Sequence, residues 1–377
     1  MIYLDYAAAT PIDPVVQSAM QPYFSDKFYN PSALYLSAKA IHKDIEAARG
    51  SIAQIIGAKP SEVIFTAGGT EANNLAIHGL MEHFPGKSIL VSSIEHDSII
   101  ESTRQYSHDL ISVTPEGIIN LEALKQKITD DTVLVSVMYA NNEIGTVQPI
   151  QEVAKIIKEI RANRVKNGNS LPIYLHTDAA QATNYLDMHV SKLGVDLMSV
   201  NGGKIYGPKQ TGFLYIKTGV KLKAQVLGGG QERNLRSGTE NVAGIIGLST
   251  ALQIVTDRKK LEIERLKQLQ HEFIDKLKEA IPSATVNGSI KHRLPNNVHI
   301  TIPGIDNERV LMELDERGIM CATGSACSAS NDEPSHVLSA IGLSDEDARS
   351  SLRFTLGAST SEKDIDAVVT TLKGSCL

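Results

Sequence analysis

The chain of 377 residues lacks several features that would assign it to a special class of protein. It has no tryptophan and three cysteines, too few for the disulfide framework of a small secreted protein. No apolar run approaches the roughly 20 residues that a membrane helix needs. The N-terminus lacks the basic start and apolar stretch of a signal peptide. We therefore expect a cytoplasmic protein that does not enter a membrane.

The chain also lacks an excess of basic over acidic residues. Lysine and arginine number 37 against 43 aspartate and glutamate residues, which gives a formal net charge of −6. Proteins that bind nucleic acids normally carry a basic surplus, so the composition argues against that class. With 42% hydrophobic and 21% charged residues, the chain has the usual balance of a globular enzyme. A chain of this length buries most of its apolar surface without disulfides or structural metals.

Short apolar runs alternate with helix-like stretches between about residues 50 and 250. The runs predict strands over residues 63–66, 88–92, 132–138, 173–177, 197–200 and 212–216. Several runs are apolar on both faces, as expected for parallel strands that helices cover on both sides. Between them, residues 152–161 carry apolar side chains on one helical face. The alternation predicts a doubly wound α/β core.

The pattern changes near residue 256. Residues 258–281 predict one long amphipathic helix, and shorter strand and helix signals follow it. Pro11 and Pro14 separate the first residues from the next helix. We therefore predict a large α/β domain over residues 15–256, with a smaller α+β domain formed by residues 1–14 and 257–377.

Polar residues follow five consecutive predicted strands. Ligands of open α/β sheets bind beyond the carboxyl ends of the strands, so these residues are candidates for a site. The candidates, in chain order, are Gly69 with Thr70, His96, Asn142, Asp178 with Gln181, and Asn201 with Lys204. Each has an ordinary alternative when taken alone, such as a helix cap, a core histidine or a loop lysine.

Taken together, the five groups meet the requirements of pyridoxal phosphate. The unpaired N–H groups of a helix that begins near Gly69 can hold a phosphate. A histidine ring can stack on the cofactor, and an amide can bind a ring oxygen. A carboxylate at Asp178 can keep the pyridine nitrogen protonated, and Lys204 can form the Schiff base. The sequence therefore predicts a pyridoxal-phosphate site at this edge of the sheet.

Longer motifs extend this pattern along the whole chain. They are residues 3–11 (YLDYAAATP), 65–74 (FTAGGTEANN), 140–149 (ANNEIGTVQP), 204–209 (KIYGPK), 228–232 (GGGQE), 236–239 (RSGT) and 324–327 (GSAC). With these motifs in this order, the chain strongly resembles the cysteine desulfurases, pyridoxal-phosphate enzymes of iron–sulfur cluster and thio-cofactor assembly. The resemblance implies a fold type I enzyme with a mainly parallel seven-stranded sheet. It also implies a homodimer with the site at the subunit interface.

The resemblance implies a role for each matching residue around the cofactor. The implied ring contacts are Lys204 as the Schiff-base lysine, His96 as the stacking and proton-moving ring, Asp178 at the pyridine nitrogen, and Gln181 at the ring oxygen. The implied phosphate contacts are Gly69, Thr70 and Asn201, with Thr239 from a second subunit.

The resemblance also implies the reaction. Asn142 and Arg353 would bind the carboxylate of L-cysteine, and Cys327 would accept its sulfur as a persulfide while L-alanine is released. An acceptor protein, such as an iron–sulfur scaffold or a thiolation enzyme, would then receive the sulfur. The attacking group must be a thiolate, and the small polar residues around Cys327 predict a loop. Cys321 follows Ile319 and Met320 and fits a buried structural thiol better; we predict no metal site.

The sequence departs from the family pattern at two places. Asn201 and Gly203 stand where relatives carry serine and histidine as phosphate ligands, which predicts weaker cofactor retention through backbone N–H groups and Thr70. Ala358 stands where many relatives carry arginine. The alternatives to a desulfurase are a selenocysteine lyase, or another β-eliminating lyase with the same cofactor, and a catalytically silent scaffold relative. Cys327 favours desulfuration.

Overall fold

The computed structural model describes residues 1–324 and 334–375. Within them the strands are β1 (Ile2–Tyr3), β2 (Val63–Thr66), β3 (Ser88–Ser92), β4 (Ser107–Ile111), β5 (Thr132–Ser136), β6 (Tyr174–Asp178), β7 (Leu197–Asn201), β8 (Gly212–Ile216), β9 (Thr285–Val286), β10 (Asn297–Thr301), β11 (Ile319–Met320) and β12 (Ser351–Thr355). The helices are α1 (Pro14–Met20), α2 (Pro22–Ser25), α3 (Leu36–Ile56), α4 (Gly69–Met81), α5 (Asp97–Thr103), α6 (Leu121–Lys127), α7 (Ile150–Lys166), α8 (Val190–Leu193), α9 (Gln231–Asn234), α10 (Val242–Ala280), α11 (Asn307–Glu316), α12 (His336–Ala340), α13 (Asp345–Arg349) and α14 (Glu362–Ser375). Short 3₁₀ turns occupy Pro60–Glu62 and Gly202–Lys204.

The centre of the molecule is a seven-stranded sheet with the order β2-β8-β7-β6-β5-β3-β4. Neighbours from β7 to β4 run parallel, and β8 runs antiparallel to both β7 and β2. Every residue of β2, β5 and β8 is buried. Strands buried on both faces are typical of a sheet between two helical layers. The predicted α/β fold with a mainly parallel seven-stranded sheet is therefore confirmed.

For the seven-stranded sheet, the strand predictions follow the apolar runs closely, with one strand missed. All six predicted strands occur, although β5 ends at Ser136, before the predicted end at residue 138. The prediction missed β4 at the edge of the sheet. Four of its five residues are exposed, so the strand carries neither an apolar run nor an alternating pattern.

Residues after the main sheet form a second, antiparallel sheet with the order β12-β10-β9. The N-terminal strand β1 pairs in parallel with β11, and Asp5 bridges to Thr355. The first residues therefore lie beside the C-terminal part of the chain. Helix α10 is continuous across the predicted boundary at residue 256, so the division into 15–256 and the remainder stays a prediction.

Helix α10 begins at Val242, well before the predicted start at residue 258. Its first half is small and apolar on more than one face, with Ala243, Gly244, Ile245, Gly247 and Leu248 all buried. A helix buried on several faces shows no amphipathic stripe, so its sequence gives no helical period. Within residues 1–324 and 334–375, no helix combines the length and apolar character that a bilayer span requires.

Candidate active site

A cavity of about 220 Å³ opens at the carboxyl ends of the parallel strands. Nine sequence-predicted residues line it: Gly69, Thr70, His96, Asn142, Asp178, Gln181, Asn201, Lys204 and Arg353. The first eight follow or end β2, β3, β5, β6 and β7, and the last lies on β12. Parallel strands bring their carboxyl ends to one edge, which explains how residues so far apart in sequence meet.

Lys204 lies in the 3₁₀ turn that follows β7. Its Nζ donates hydrogen bonds to the main-chain oxygens of Ala7 at 2.8 Å and Ala8 at 2.6 Å. The Ala7 oxygen also accepts from Gln181 Nε2 at 3.0 Å. The N-terminal segment therefore forms one wall of the cavity and orients the lysine amine.

Asp178 ends β6 and is 8% exposed. Its Oδ1 accepts from the Ala180 N–H at 2.9 Å, and its Oδ2 accepts from Asn73 Nδ2 at 2.7 Å. Asn73 is 1% exposed and also lines the cavity. Sequence reasoning missed Asn73, although it lies in the quoted motif 65–74. These two donors hold the carboxylate in one orientation.

His96 caps the N-terminus of α5. Its Nδ1 accepts the Ser98 main-chain N–H at 3.0 Å and lies 2.9 Å from the Ser98 hydroxyl. Both the ring and Ser98 line the cavity. The cap therefore fixes the ring at the cavity wall.

Two buried titratable groups that the sequence analysis did not assign lie behind the site. Glu95 is fully buried, and its Oε1 accepts the Met138 N–H at 2.5 Å. Burial raises the pKa of the Glu95 carboxyl to about 8. His176, two residues before Asp178, lies between the hydroxyls of Ser136 and Ser199 at 2.9 and 3.0 Å. Burial lowers its pKa to about 4, so the imidazole is neutral near pH 7.

One end of the cavity fits a phosphate. Gly68 precedes α4 with φ at 140°, a conformation that favours glycine. The first N–H groups of α4, at Gly69 and Thr70, have no partner within the helix. Asn201 Oδ1 accepts the Gly203 N–H at 2.9 Å, and Asn201 Nδ2 lies 3.4 Å from where a Cβ on Gly69 would be. Helix N–H groups, a hydroxyl and an amide nitrogen are suitable donors for an anion.

The guanidinium of Arg353 lies at another part of the cavity wall. Arg353 is 1% exposed; it donates to Asp5 Oδ1 at 2.8 Å and to the Asn142 main-chain oxygen at 3.2 Å. Its Nε is buried and has no hydrogen-bond partner. A guanidinium with donor capacity left beside a cavity suits a carboxylate ligand. Asn142 itself lines the same cavity.

Of the other implied site residues, Thr239 lies elsewhere and Cys327 falls outside the described residues. Thr239 lines a separate cavity of about 240 Å³, together with Gln210 and Arg236. Cys327 lies outside the described residues, as does Cys376. Cys321 is half-buried, and burial raises the pKa of its thiol to about 12, which matches a structural cysteine. In the described part of the chain, no group of three or more histidine, cysteine, aspartate or glutamate side chains is arranged to hold a metal ion.

Comparisons with known proteins identify the family of this chain. The family model of the class-V aminotransferases matches residues 2–368. Cysteine desulfurase IscS of Dictyoglomus turgidum is 43% identical over 99% of this chain and 93% of its own length. A NifS-like protein from Rickettsia africae has a TM-score of 0.88 and 33% identity, covering 99% of both chains. The SspA protein in complex with cysteine has a TM-score of 0.82 and 33% identity, covering 94% of this chain and 99% of its own. The chain belongs to the class-V aminotransferase family and, within it, to the cysteine desulfurases, which are pyridoxal-phosphate-dependent enzymes.

Proposed function

We propose that the cavity binds pyridoxal 5′-phosphate and L-cysteine, and that the products are L-alanine and a persulfide on Cys327. The observation that carries the proposal is the meeting of nine residues from distant parts of the chain around one cavity. The cavity is lined by the charged side chains of Lys204, Asp178 and Arg353, which supports a polar, charged occupant.

The residues present fit the cofactor. The start of α4, Thr70 and Asn201 would hold its phosphate, and Asp178 would accept a hydrogen bond from its pyridine nitrogen. When bound, pyridoxal phosphate supplies an aldehyde that condenses with amines and a ring that accepts electrons from the substrate. Lys204 brings the amine, which the Ala7 and Ala8 carbonyls orient. Gln181 would donate to the ring oxygen.

Arg353 and Asn142 would bind the substrate carboxylate. The guanidinium is held in place by Asp5 and by the Asn142 carbonyl, so it meets a ligand with little loss of side-chain freedom. Its planar donors suit a carboxylate. The similarity to a protein that was solved with cysteine supports L-cysteine as this substrate.

Cys327 would take the sulfur. Its thiolate attacks the substrate sulfur, an S–S bond forms, and the Cβ–S bond of the substrate breaks. The electron pair of the broken bond stays with the carbon skeleton, which gains a proton and leaves as L-alanine. Cys321 is a poor candidate for this role because burial raises the pKa of its thiol to about 12.

A second copy of the chain would complete the site. Thr239 lies in a different cavity from Lys204 of its own chain, as expected if it serves the phosphate of a partner. Exposed apolar side chains support a surface that the second copy would cover. Four large ones are 62–86% exposed: Phe24, Phe28, Leu34 and Leu36. The persulfide would pass to an acceptor protein, either an iron–sulfur scaffold or a thiolation enzyme, in the cytoplasm.

The test incubates the purified protein with L-cysteine and a reductant and measures both alanine and sulfide. We expect equal amounts of the two products from the native protein. Cys327→Ala should abolish both, and Lys204→Ala should remove the visible absorbance of the bound cofactor. Full activity of Cys327→Ala would contradict the sulfur-transfer step and favour a β-eliminating lyase. Native protein without cofactor absorbance or turnover would favour a silent scaffold.

A further inference from the structure

A chain of hydrogen bonds connects Asp178 to His96. Asn73 Nδ2 donates to Asp178 Oδ2 at 2.7 Å and to the Ser98 hydroxyl at 2.9 Å. The Ser98 hydroxyl lies 2.9 Å from His96 Nδ1, and the Ser98 main-chain N–H donates to the same nitrogen at 3.0 Å. All four residues line the cavity.

The direction of each hydrogen bond follows from the chemistry of the groups. A carboxylate only accepts, so the Asn73 amide must present its nitrogen to Asp178. That nitrogen carries two hydrogens, and the second points to the Ser98 hydroxyl. The Ser98 oxygen therefore accepts from Asn73, and its own hydrogen remains for His96 Nδ1.

His96 Nδ1 thus faces two donors, the hydroxyl and the main-chain N–H of Ser98. A nitrogen that accepts two hydrogen bonds carries no proton of its own, so the neutral ring has its proton on Nε2. Moving the proton to Nδ1 would break the hydrogen bond from the main-chain N–H and force the Ser98 hydroxyl to turn around.

We propose that Ser98 and Asn73 are positioning residues that hold His96 in the tautomer with the proton on Nε2. His96 then presents a proton, not a lone pair, to ligands in the cavity. The consequence for turnover rests on the proposed function, in which the proton-moving role that the resemblance implies for His96 would be that of a proton donor to the substrate-derived group. The tautomer itself follows from the protein alone.

The test labels the histidines of the full-length, as-isolated protein with ¹⁵N and records long-range ¹H–¹⁵N spectra at a pH where the ring is neutral. The His96 signals are assigned by their loss in His96→Gln. We expect a protonated Nε2 and an unprotonated Nδ1. Ser98→Ala should raise the ratio of the Nδ1–H to the Nε2–H form about fivefold, which corresponds to the loss of one hydrogen bond of about 1 kcal/mol. Ser98→Thr, which keeps the hydroxyl, should restore the native ratio.

Ser102→Ala is the matched control. Ser102 lies on the same helix, and its hydroxyl donates to the Ser98 main-chain oxygen without contacting the ring, so the His96 spectrum should stay unchanged. A protonated Nδ1 in the native protein, or an unchanged ratio in Ser98→Ala, would overturn the proposal.

Turnover measurements distinguish a failure of this proposal from a failure of the proposed function. If Ser98→Ala shifts the tautomer but keeps the native kcat, the proton-donor role of His96 is wrong while its positioning by Ser98 stands. If the tautomer is wrong but sulfide release still depends on Cys327, the proposed function stands alone.

Discussion

Gly203→His should tighten the binding of pyridoxal phosphate. A Cβ on Gly203 would lie 3.4 Å from Asn201 Oδ1 and 3.6 Å from Lys209 Cγ, which are ordinary contact distances. The backbone of residue 203 therefore accepts a Cβ, and its nearest neighbour, Asn201, lines the cavity. An imidazole there can donate one hydrogen bond to the phosphate.

The expected gain follows from the energy of one hydrogen bond to a charged group. Such a bond contributes roughly 1.5–3 kcal/mol, which corresponds to about one to two decades in the dissociation constant. The hydrogen bond from the Gly203 N–H to Asn201 stays in place because the substitution leaves the main chain unchanged. The affinity of the native protein should accordingly be weaker than that of Gly203→His by this factor.

The assay titrates the cofactor-free protein with pyridoxal phosphate and follows absorbance or equilibrium dialysis. Gly203→Ala is the control, because it adds the Cβ without the ring and should bind like the native protein. Gly202→Ala is a contrasting variant, since its Cβ would lie 2.2 Å from Thr211 Oγ1 and should destabilise the fold. Equal dissociation constants for Gly203→His and Gly203→Ala would refute the reasoning.

Three further changes test other parts of the site. Arg353→Lys should raise the KM for L-cysteine about tenfold, equivalent to about 1.4 kcal/mol, with a smaller change in kcat. The reason is that lysine cannot form the paired hydrogen bonds of arginine with a carboxylate. An unchanged KM in steady-state assays would contradict this prediction. The pKa of Glu95 in the folded protein is about 8, above its ordinary value of 4.5. Between pH 4.5 and 8, the free energy of unfolding of the native protein should therefore fall by about 4 kcal/mol more than that of Glu95→Gln. If urea unfolding gives parallel pH profiles for the two proteins, Glu95 ionises normally. Cys321→Ala should release sulfide at the native rate while Cys327→Ala releases none, and a loss in the first variant would show that the sulfur acceptor was misassigned.

The parts of the fold that the sequence predicted are those with a local signal. Buried strands such as β2 and β3 are continuous apolar runs, and the residues after them are polar, so both the sheet and its ligand edge follow from neighbouring residues. Strand β4 is exposed and the first half of α10 is buried on several faces. Neither has a periodic pattern, because periodicity arises only where one face is buried and the other is not.

The site residues also divide into those that a local sequence signal predicts and those that have no such signal. Lys204 follows β7 and Asp178 ends β6, and the positions of both residues relative to the strands predict them. Asn73 contacts Asp178, which lies 105 residues further along the sequence, and Glu95 contacts Met138, which lies 43 residues further along. Contacts of this kind depend on how helices and strands pack, which no local pattern specifies. Arg353 entered through family resemblance alone, because β12 lies outside the main sheet.

The N-terminal segment contacts both the residues proposed to hold the cofactor and the arginine proposed to bind the substrate. Asp5 holds the Arg353 guanidinium, while the Ala7 carbonyl accepts from both Lys204 and Gln181. Asp5 also bridges to β12 through Thr355. Residues that would bind the substrate carboxylate and residues that would hold the cofactor are thus fixed by one short stretch of chain. A change that displaces this stretch should weaken both functions together, whereas a change in α4 or β12 should affect one of them.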